Sequence, residues 1–183
     1  MKYIQTLDFD FVEFLNFEDR PFRAKFIPAK VWNDLDKYKN DAIGLRNYFK
    51  KWRFSIVWHY EKKPTTQISV GGGYYTDKGC SELDIWTSPD TDYNHHKFTD
   101  ASWKRFKYRT IQVCMHELIH CKQYYGKPEE YCASKVYYSK TGINRIDDNR
   151  DYHAGRDEIE AYANCVYLDF RTKRPTVSIA ELI

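Results

Sequence analysis

The longest helical pattern in this sequence is DASWKRFKYRTIQVCMHELIHCKQYYG, residues 100–126. Thr99 or Asp100 can cap its N-terminus, because a short polar side chain there accepts hydrogen bonds from the first backbone N–H groups. Apolar residues recur along the pattern at three- and four-residue steps until Gly126 and Pro128 end it. The sequence therefore predicts one long amphipathic helix, and the other elements are arranged around it.

This helix contains His116-Glu117-Leu118-Ile119-His120. Two histidines four residues apart lie one above the other on one helix face, so both rings can reach a single ion. A catalytic zinc site has three protein ligands and a water, and a glutamate beside the first histidine can take a proton from that water. The pattern predicts one zinc ion bound by His116 and His120, with Glu117 as the general base of a hydrolase.

The third ligand must come from another part of the chain. A second helical pattern carries Asp-Glu-Ile-Glu-Ala-Tyr-Ala-Asn at residues 157–164. Together the two patterns resemble the gluzincin metallopeptidases, and this resemblance implies Glu160 as third ligand and Asn164 as the residue that orients His116. Glu158 competes with Glu160, but the two point about 200° apart on a helix, so only one can bind. The spacing to Ala161 favours Glu160.

The same residues are similar to small zinc peptidases encoded by tailed bacteriophages. The Glu-Ala feature is shared with ImmA/IrrE-type regulatory proteases. These resemblances imply a zincin-like fold and a zinc metallopeptidase, more typically an endopeptidase than an exopeptidase, acting on a protein or peptide substrate. Hydrolysis also needs a donor to the developing oxyanion besides zinc. Tyr152 and His153 are the first candidates, and the other candidates are Tyr124, Tyr125 and Tyr162.

The remaining patterns predict a single α+β domain over residues 1–183, with a small antiparallel or mixed sheet packed on the active-site helix. Runs rich in β-branched and aromatic residues predict strands at 52–60, 66–70 and 82–87. Apolar residues at helical spacing predict further helices at 29–51, 128–138 and 156–170. The glycines at 71–73 are interpreted as a turn or bulge between two strands.

The last strand before the helix is the candidate for binding substrate. In zincins a sheet edge strand above the active-site helix pairs with an extended peptide, and strand addition satisfies backbone groups of both chains. An ordinary interior strand is an equally good interpretation of the alternating pattern. The residues concerned are Glu82, Leu83, Asp84, Ile85 and Trp86.

Composition excludes several classes of protein. The 183 residues include 30% charged and 17% aromatic side chains, which excludes a disordered chain. The mean hydropathy is −0.76, and no apolar run approaches the length of a membrane span. With no signal peptide visible, we expect a cytoplasmic protein, in the host cytoplasm if it is phage-encoded, without membrane partners.

The adjacent His95 and His96 are expected to be solvated loop residues.

Nucleic acid is a weaker candidate partner. A cluster of basic residues interleaved with aromatic ones opens the long helix, and such alternation can hold a nucleic-acid backbone and its bases. The alternative function is therefore a nucleic-acid-associated or virion structural protein that keeps a zinc-binding zincin fold without proteolysis. Solvated basic residues with buried stems are the commoner case. The cluster consists of Lys104, Arg105, Lys107 and Arg109.

Overall fold

The computed structural model describes residues 28–60, 68–76, 79–88, 90–126, 128–129 and 156–173. Within these residues, α-helices and a three-stranded sheet form a mixed α+β arrangement, as the sequence predicts, while most of the expected helix at 128–138 lies outside them. The strands are β1 (Phe54–Tyr60), β2 (Ser69–Tyr75) and β3 (Cys80–Thr87). The helices are α1 (Pro28–Asp34), α2 (Ala42–Phe49), α3 (Asp100–Gly126) and α4 (Arg156–Lys173).

The sheet has the order β1-β3-β2, so β3 lies in its centre. It pairs parallel with β1 and antiparallel with β2. The expectation that the strand containing residues 82–86 is a substrate-binding edge was therefore wrong, because both of its edges already bond to neighbouring strands. The alternating burial along β3, with Leu83 and Ile85 fully buried, is that of an interior strand with one face on the core. Among the described strands, β2 is the one beside α3 with an open edge.

The glycines at 71–73 also differ from expectation, because they lie inside β2 and not in a turn. Gly72 allows the strand to approach α3 closely. A Cβ atom at this position would lie 2.6 Å from Cγ1 of Val113 and 2.7 Å from the backbone oxygen of Glu82. Only a residue without a side chain fits there, so the position is fixed by packing against the helix and the neighbouring strand.

The predicted helix at 29–51 is two helices, α1 and α2, each followed by a short 3-10 segment. Asn40 interrupts them with a left-handed backbone, φ 60°, which Asn tolerates better than most residues. Its side-chain amide donates to the backbone oxygens of Tyr93 and His96, at 3.0 and 2.7 Å. Asp41 then caps α2 by accepting from the N–H of Gly44. The apolar residues keep their helical spacing from α1 into α2, so periodicity alone does not show the break between the two helices.

The basic cluster at the start of α3 is not one solvated surface. Lys107 is 4% exposed, and its ammonium donates to the carboxylate of Asp36 at 2.7 Å and to the backbone oxygen of Trp32 at 3.1 Å. It also lies 4.3 Å from the centroid of the Trp32 ring. Lys107 therefore joins α3 to the N-terminal helices, and the exposed members of the cluster are Lys104, Arg105 and Arg109.

We predict that Gly72→Ala destabilises the protein by roughly 1–3 kcal/mol, the usual cost of forcing an extra methyl group into a packed site. Gly73→Ala is the matched control, since its Cβ would meet only the ring of Tyr75, at an ordinary contact distance of 3.4 Å. Urea unfolding of both variants measures the difference. Equal midpoints for the two variants would contradict the close approach of β2 to α3.

His96 is 8% exposed, whereas the sequence predicts a solvated residue. Burial lowers the pKa of its imidazole. The imidazole of His96 then binds a proton more readily in the unfolded chain than in the folded one. The contribution of His96 to the free energy of unfolding is therefore fully present above its pKa in the unfolded chain. This contribution is lost as pH falls through its lower pKa in the folded protein.

We therefore expect His96→Leu to lose less stability than the wild type between about pH 7.5 and about pH 5.5, a range that includes the ordinary histidine pKa. The measurement is urea unfolding at the two pH values. His95→Ala is the control, because the His95 side chain is 80% exposed. A pH dependence that His96→Leu leaves unchanged would refute this assignment.

Candidate metal centre

The two histidines of α3 meet on one face of the helix. Their Nε2 atoms are 3.0 Å apart and their ring centroids 4.6 Å apart. His120 is 3% exposed, and the side chain of His116 is 14% exposed. This is the arrangement that a four-residue spacing predicts, and it leaves both nitrogens directed at one point.

Glu158 of α4 completes a group of three. Its Oε2 lies 3.3 Å from Nε2 of His116, and its Oε1 lies 3.3 Å from Nε2 of His120. The three residues offer ligand atoms that all lie within 4.8 Å of one another. Ligands placed about 2.0–2.1 Å from a tetrahedral zinc are about 3.3–3.4 Å apart, so the observed separations fit a single ion of this kind. The chemistry of the donors, two imidazoles and a carboxylate, fits zinc as well.

The burial of Glu158 also points to a cation. The residue is 0% exposed. An ionised carboxylate removed from water is costly unless a positive charge or several hydrogen bonds compensate it. The neighbouring groups include two imidazoles, which in their neutral form bind metal ions. A divalent cation among the three residues would satisfy all of them at once.

Glu160, the ligand expected from the sequence, lies elsewhere. Its carboxylate accepts a hydrogen bond from Nε2 of Gln123 at 3.0 Å, and Oε1 of Gln123 lies 2.9 Å from Nδ1 of His120. A carboxylate only accepts, so the amide NH₂ must face Glu160 and the amide oxygen must face the ring. Nδ1 of His120 is then the protonated nitrogen, and Nε2 carries the lone pair that a metal requires.

The residue expected to orient His116 is also placed differently. The Asn164 amide donates to the backbone oxygen of Glu160, 2.8 Å away on its own helix. The Glu-Ala spacing does not show which face of α4 is buried. Glu158 and Ala161 are both 0% exposed and face α3, whereas Ile159 is 55% exposed. The helix face fixed by this packing carries Glu158 toward the histidines and Glu160 away from them.

Several contacts fix α4 on α3 in an antiparallel orientation. Asp169 accepts hydrogen bonds from the hydroxyl of Tyr108 and from Nε2 of Gln112, and the Cys165 thiol donates to the backbone oxygen of Gln112 at 3.7 Å. Burial raises the pKa of this thiol to about 11, although the charge of Arg109 opposes the shift. Cys165 is therefore a protonated packing residue, and the contacts set the height at which Glu158 meets the histidines.

Glu117 lies beside the triad in a cleft of about 670 Å³. The residue is 5% exposed, and its Cγ would lie 3.3 Å from a Cβ placed on Gly72. The cleft is bounded by β2 on one side and by α4 on the other, with α3 as its floor. Glu117 thus lines the space between the group His116, His120 and Glu158 and the edge of β2 that no other described strand covers, where a general base would act.

Tyr162 contributes the α4 side of the cleft. Its ring packs edge-on against His116, with centroids 4.8 Å apart. Burial and the carboxylate of Glu158 raise the pKa of its hydroxyl, while the charge of Arg109 opposes the shift. Of the oxyanion candidates, Tyr162 lines this cleft, and Tyr152 and His153 lie outside the described residues. Tyr124 packs on Tyr74 and Tyr125.

Sequence reasoning missed Gln123, Arg109 and the β2 glycines as parts of this site. Gln123 follows His120 by three residues, the spacing at which helix side chains are neighbours, so this signal was present in the sequence. The roles of β2 and Arg109 depend on which strand reaches α3, which local patterns do not show.

None of the described helices is both long and apolar enough to cross a membrane.

Comparison of the chain with models of known protein families, with curated proteins and with solved structures finds no match in any of the three.

We predict that Glu158→Gln loses the metal and that Glu160→Gln keeps it. Removal of a direct ligand should weaken zinc binding by more than the roughly 10- to 100-fold typical of an outer partner. Gln at position 160 still offers an oxygen to Gln123. Elemental analysis after dialysis and competition with a chelator measure stoichiometry and affinity. Loss of zinc from Glu160→Gln with retention in Glu158→Gln would restore the assignment made from the sequence.

Proposed function

We propose that this chain is a zinc-dependent metallopeptidase of zincin-like fold, with His116, His120 and Glu158 as metal ligands and Glu117 as general base. The observation that carries the proposal is the convergence of the three ligand side chains at the wall of an open cleft, with a buried carboxylate next to them. A purely structural zinc site is usually closed by a fourth protein ligand and has no use for a carboxylate such as Glu117.

A zinc ion bound there would polarise a substrate carbonyl and lower the pKa of a coordinated water to near 7. Glu117 takes the proton of the attacking water and returns it to the leaving amine. Gln123 holds the protonated Nδ1 of His120, so that the ring keeps the tautomer and orientation needed for binding. Tyr162 follows Glu158 by one helical turn and packs on His116. The gluzincin pattern has Asp or Asn at this distance after its ligand glutamate.

The shape of the cleft favours a peptide over a compact small molecule. Its wall is the open edge of β2, which can add an extended chain through backbone hydrogen bonds. The glycines at 71–73 keep that wall free of side chains, and the opposite wall presents Tyr162 and Val166, which are 43% and 67% exposed. A cleft open along a strand suits cleavage within a chain, which supports an endopeptidase.

The principal test compares Glu117→Gln with the wild type on a library of quenched fluorescent peptides. Loss of a general base should lower the hydrolysis rate by about 10²- to 10⁴-fold, while the zinc content stays at that of the wild type. Glu129→Gln is the control, because Glu129 is exposed and outside the cleft.

The contrary outcomes separate the alternatives. Equal hydrolysis by Glu117→Gln would remove this residue from the mechanism. One zinc per chain with no hydrolysis of any library peptide would favour the structural alternative, a zinc-binding protein without proteolysis.

A further inference from the structure

Arg109 lies at the far end of the same cleft. It precedes His116 by seven residues, which corresponds to two helical turns, so the two residues share a face of α3. Their Cα atoms are then about 10 Å apart along the helix axis. Arg109 is thus the basic residue of the cleft wall, next to the space that leads to the metal ligands.

Among the described residues, two neutral acceptors hold its guanidinium in place. Nε donates to the backbone oxygen of Val70 at 3.2 Å, and Nη1 donates to Oε1 of Gln112 at 3.4 Å. An arginine has five N–H donors, and the described part of the chain accepts from two of them, which leaves three for a ligand, including both on Nη2. Within the described part of the chain Arg109 forms no ion pair with a carboxylate.

Asp169, the acidic residue of the cleft that shares Gln112 with Arg109 as a hydrogen-bond partner, has other donors. Asp169 accepts from Tyr108 and from Gln112, and Gln112 stands between it and Arg109. The charge of Arg109 also reaches across the cleft, where it lowers the pKa values of Tyr162 and Cys165 against the larger effect of burial. A carboxylate entering this end of the cleft would meet the positively charged guanidinium of Arg109. The planar arrangement of its N–H donors is the geometry that binds carboxylates bidentately.

We propose that Arg109 binds a carboxylate of the peptide substrate and so makes the enzyme selective for peptides that present a carboxylate at this end of the cleft. An extended chain advances about 3.3 Å per residue, so the carboxylate lies about three residues from the scissile bond. It belongs either to an Asp or Glu side chain or to the free C-terminus of the substrate. This inference rests on the proposed peptidase function, but its test does not depend on hydrolysis.

The experiment measures peptide binding to the zinc-loaded Glu117→Gln protein by titration calorimetry and by the Nε–Hε NMR signal of Arg109. The probes are acetyl-hexaalanine with a free C-terminus, its C-terminal amide, and amides in which Glu replaces each alanine in turn. The free acid tests the C-terminal source and the Glu series tests the side-chain source. The same titrations are made with Arg109→Gln and with Lys104→Gln added to Glu117→Gln. Lys104 is an exposed residue about 120° around α3 from His116.

We expect at least one carboxylate-bearing probe to bind about tenfold more tightly than the plain amide, as for a hydrogen-bonded ion pair near a surface. The gain should vanish with Arg109→Gln, persist with Lys104→Gln and coincide with a shift of the Arg109 signal. Equal affinities for all probes, no binding of any probe, or a gain that survives Arg109→Gln would overturn the inference. Failure of the wild type to cleave any peptide would instead overturn the peptidase function.

Discussion

The site depends on the burial of the Glu158 carboxylate against two imidazoles of α3. Removing an ionised carboxylate from water costs several kcal/mol, and a fold tolerates that cost where positive charge or several hydrogen bonds compensate it. The contacts of Asp169 and Cys165 with α3 fix α4 at the height where this happens. A metal ion would therefore stabilise the pairing of α3 with α4 as well as supply the chemistry, because it binds the folded arrangement and not the unfolded chain.

α3 also determines the shape of the cleft. β2 lies close to it because Gly72 has no side chain, and this closeness places an open strand edge beside Glu117. Arg109 donates to the first half of the same strand, and Tyr162 faces it from α4. One long helix thus carries His116, Glu117, His120 and Arg109. On one side α4 adds Glu158 to the two histidines, and on the other side β2 lines the cleft.

The sequence allowed the local features of this site to be predicted, but not those that depend on the packing of distant elements. The position of His116 and His120 on one helix face follows from helical geometry. The length of α3 follows from its apolar periodicity and from the signals at its two ends. The choice between Glu158 and Glu160 depends on which face of α4 packs on α3, and the motif indicated the residue whose side chain lies away from the histidines. Strand order could not be read from local patterns either, because the alternation of β3 suits an edge and an interior strand equally.

The most direct test of the account is X-ray diffraction from crystals of the zinc-loaded protein, with anomalous data collected on both sides of the zinc absorption edge. The account predicts one anomalous peak, about 2.0–2.2 Å from Nε2 of His116, Nε2 of His120 and a carboxylate oxygen of Glu158. Glu160 should remain bonded to Gln123. A peak coordinated by Glu160, or no peak at the two histidines, would contradict the central claim.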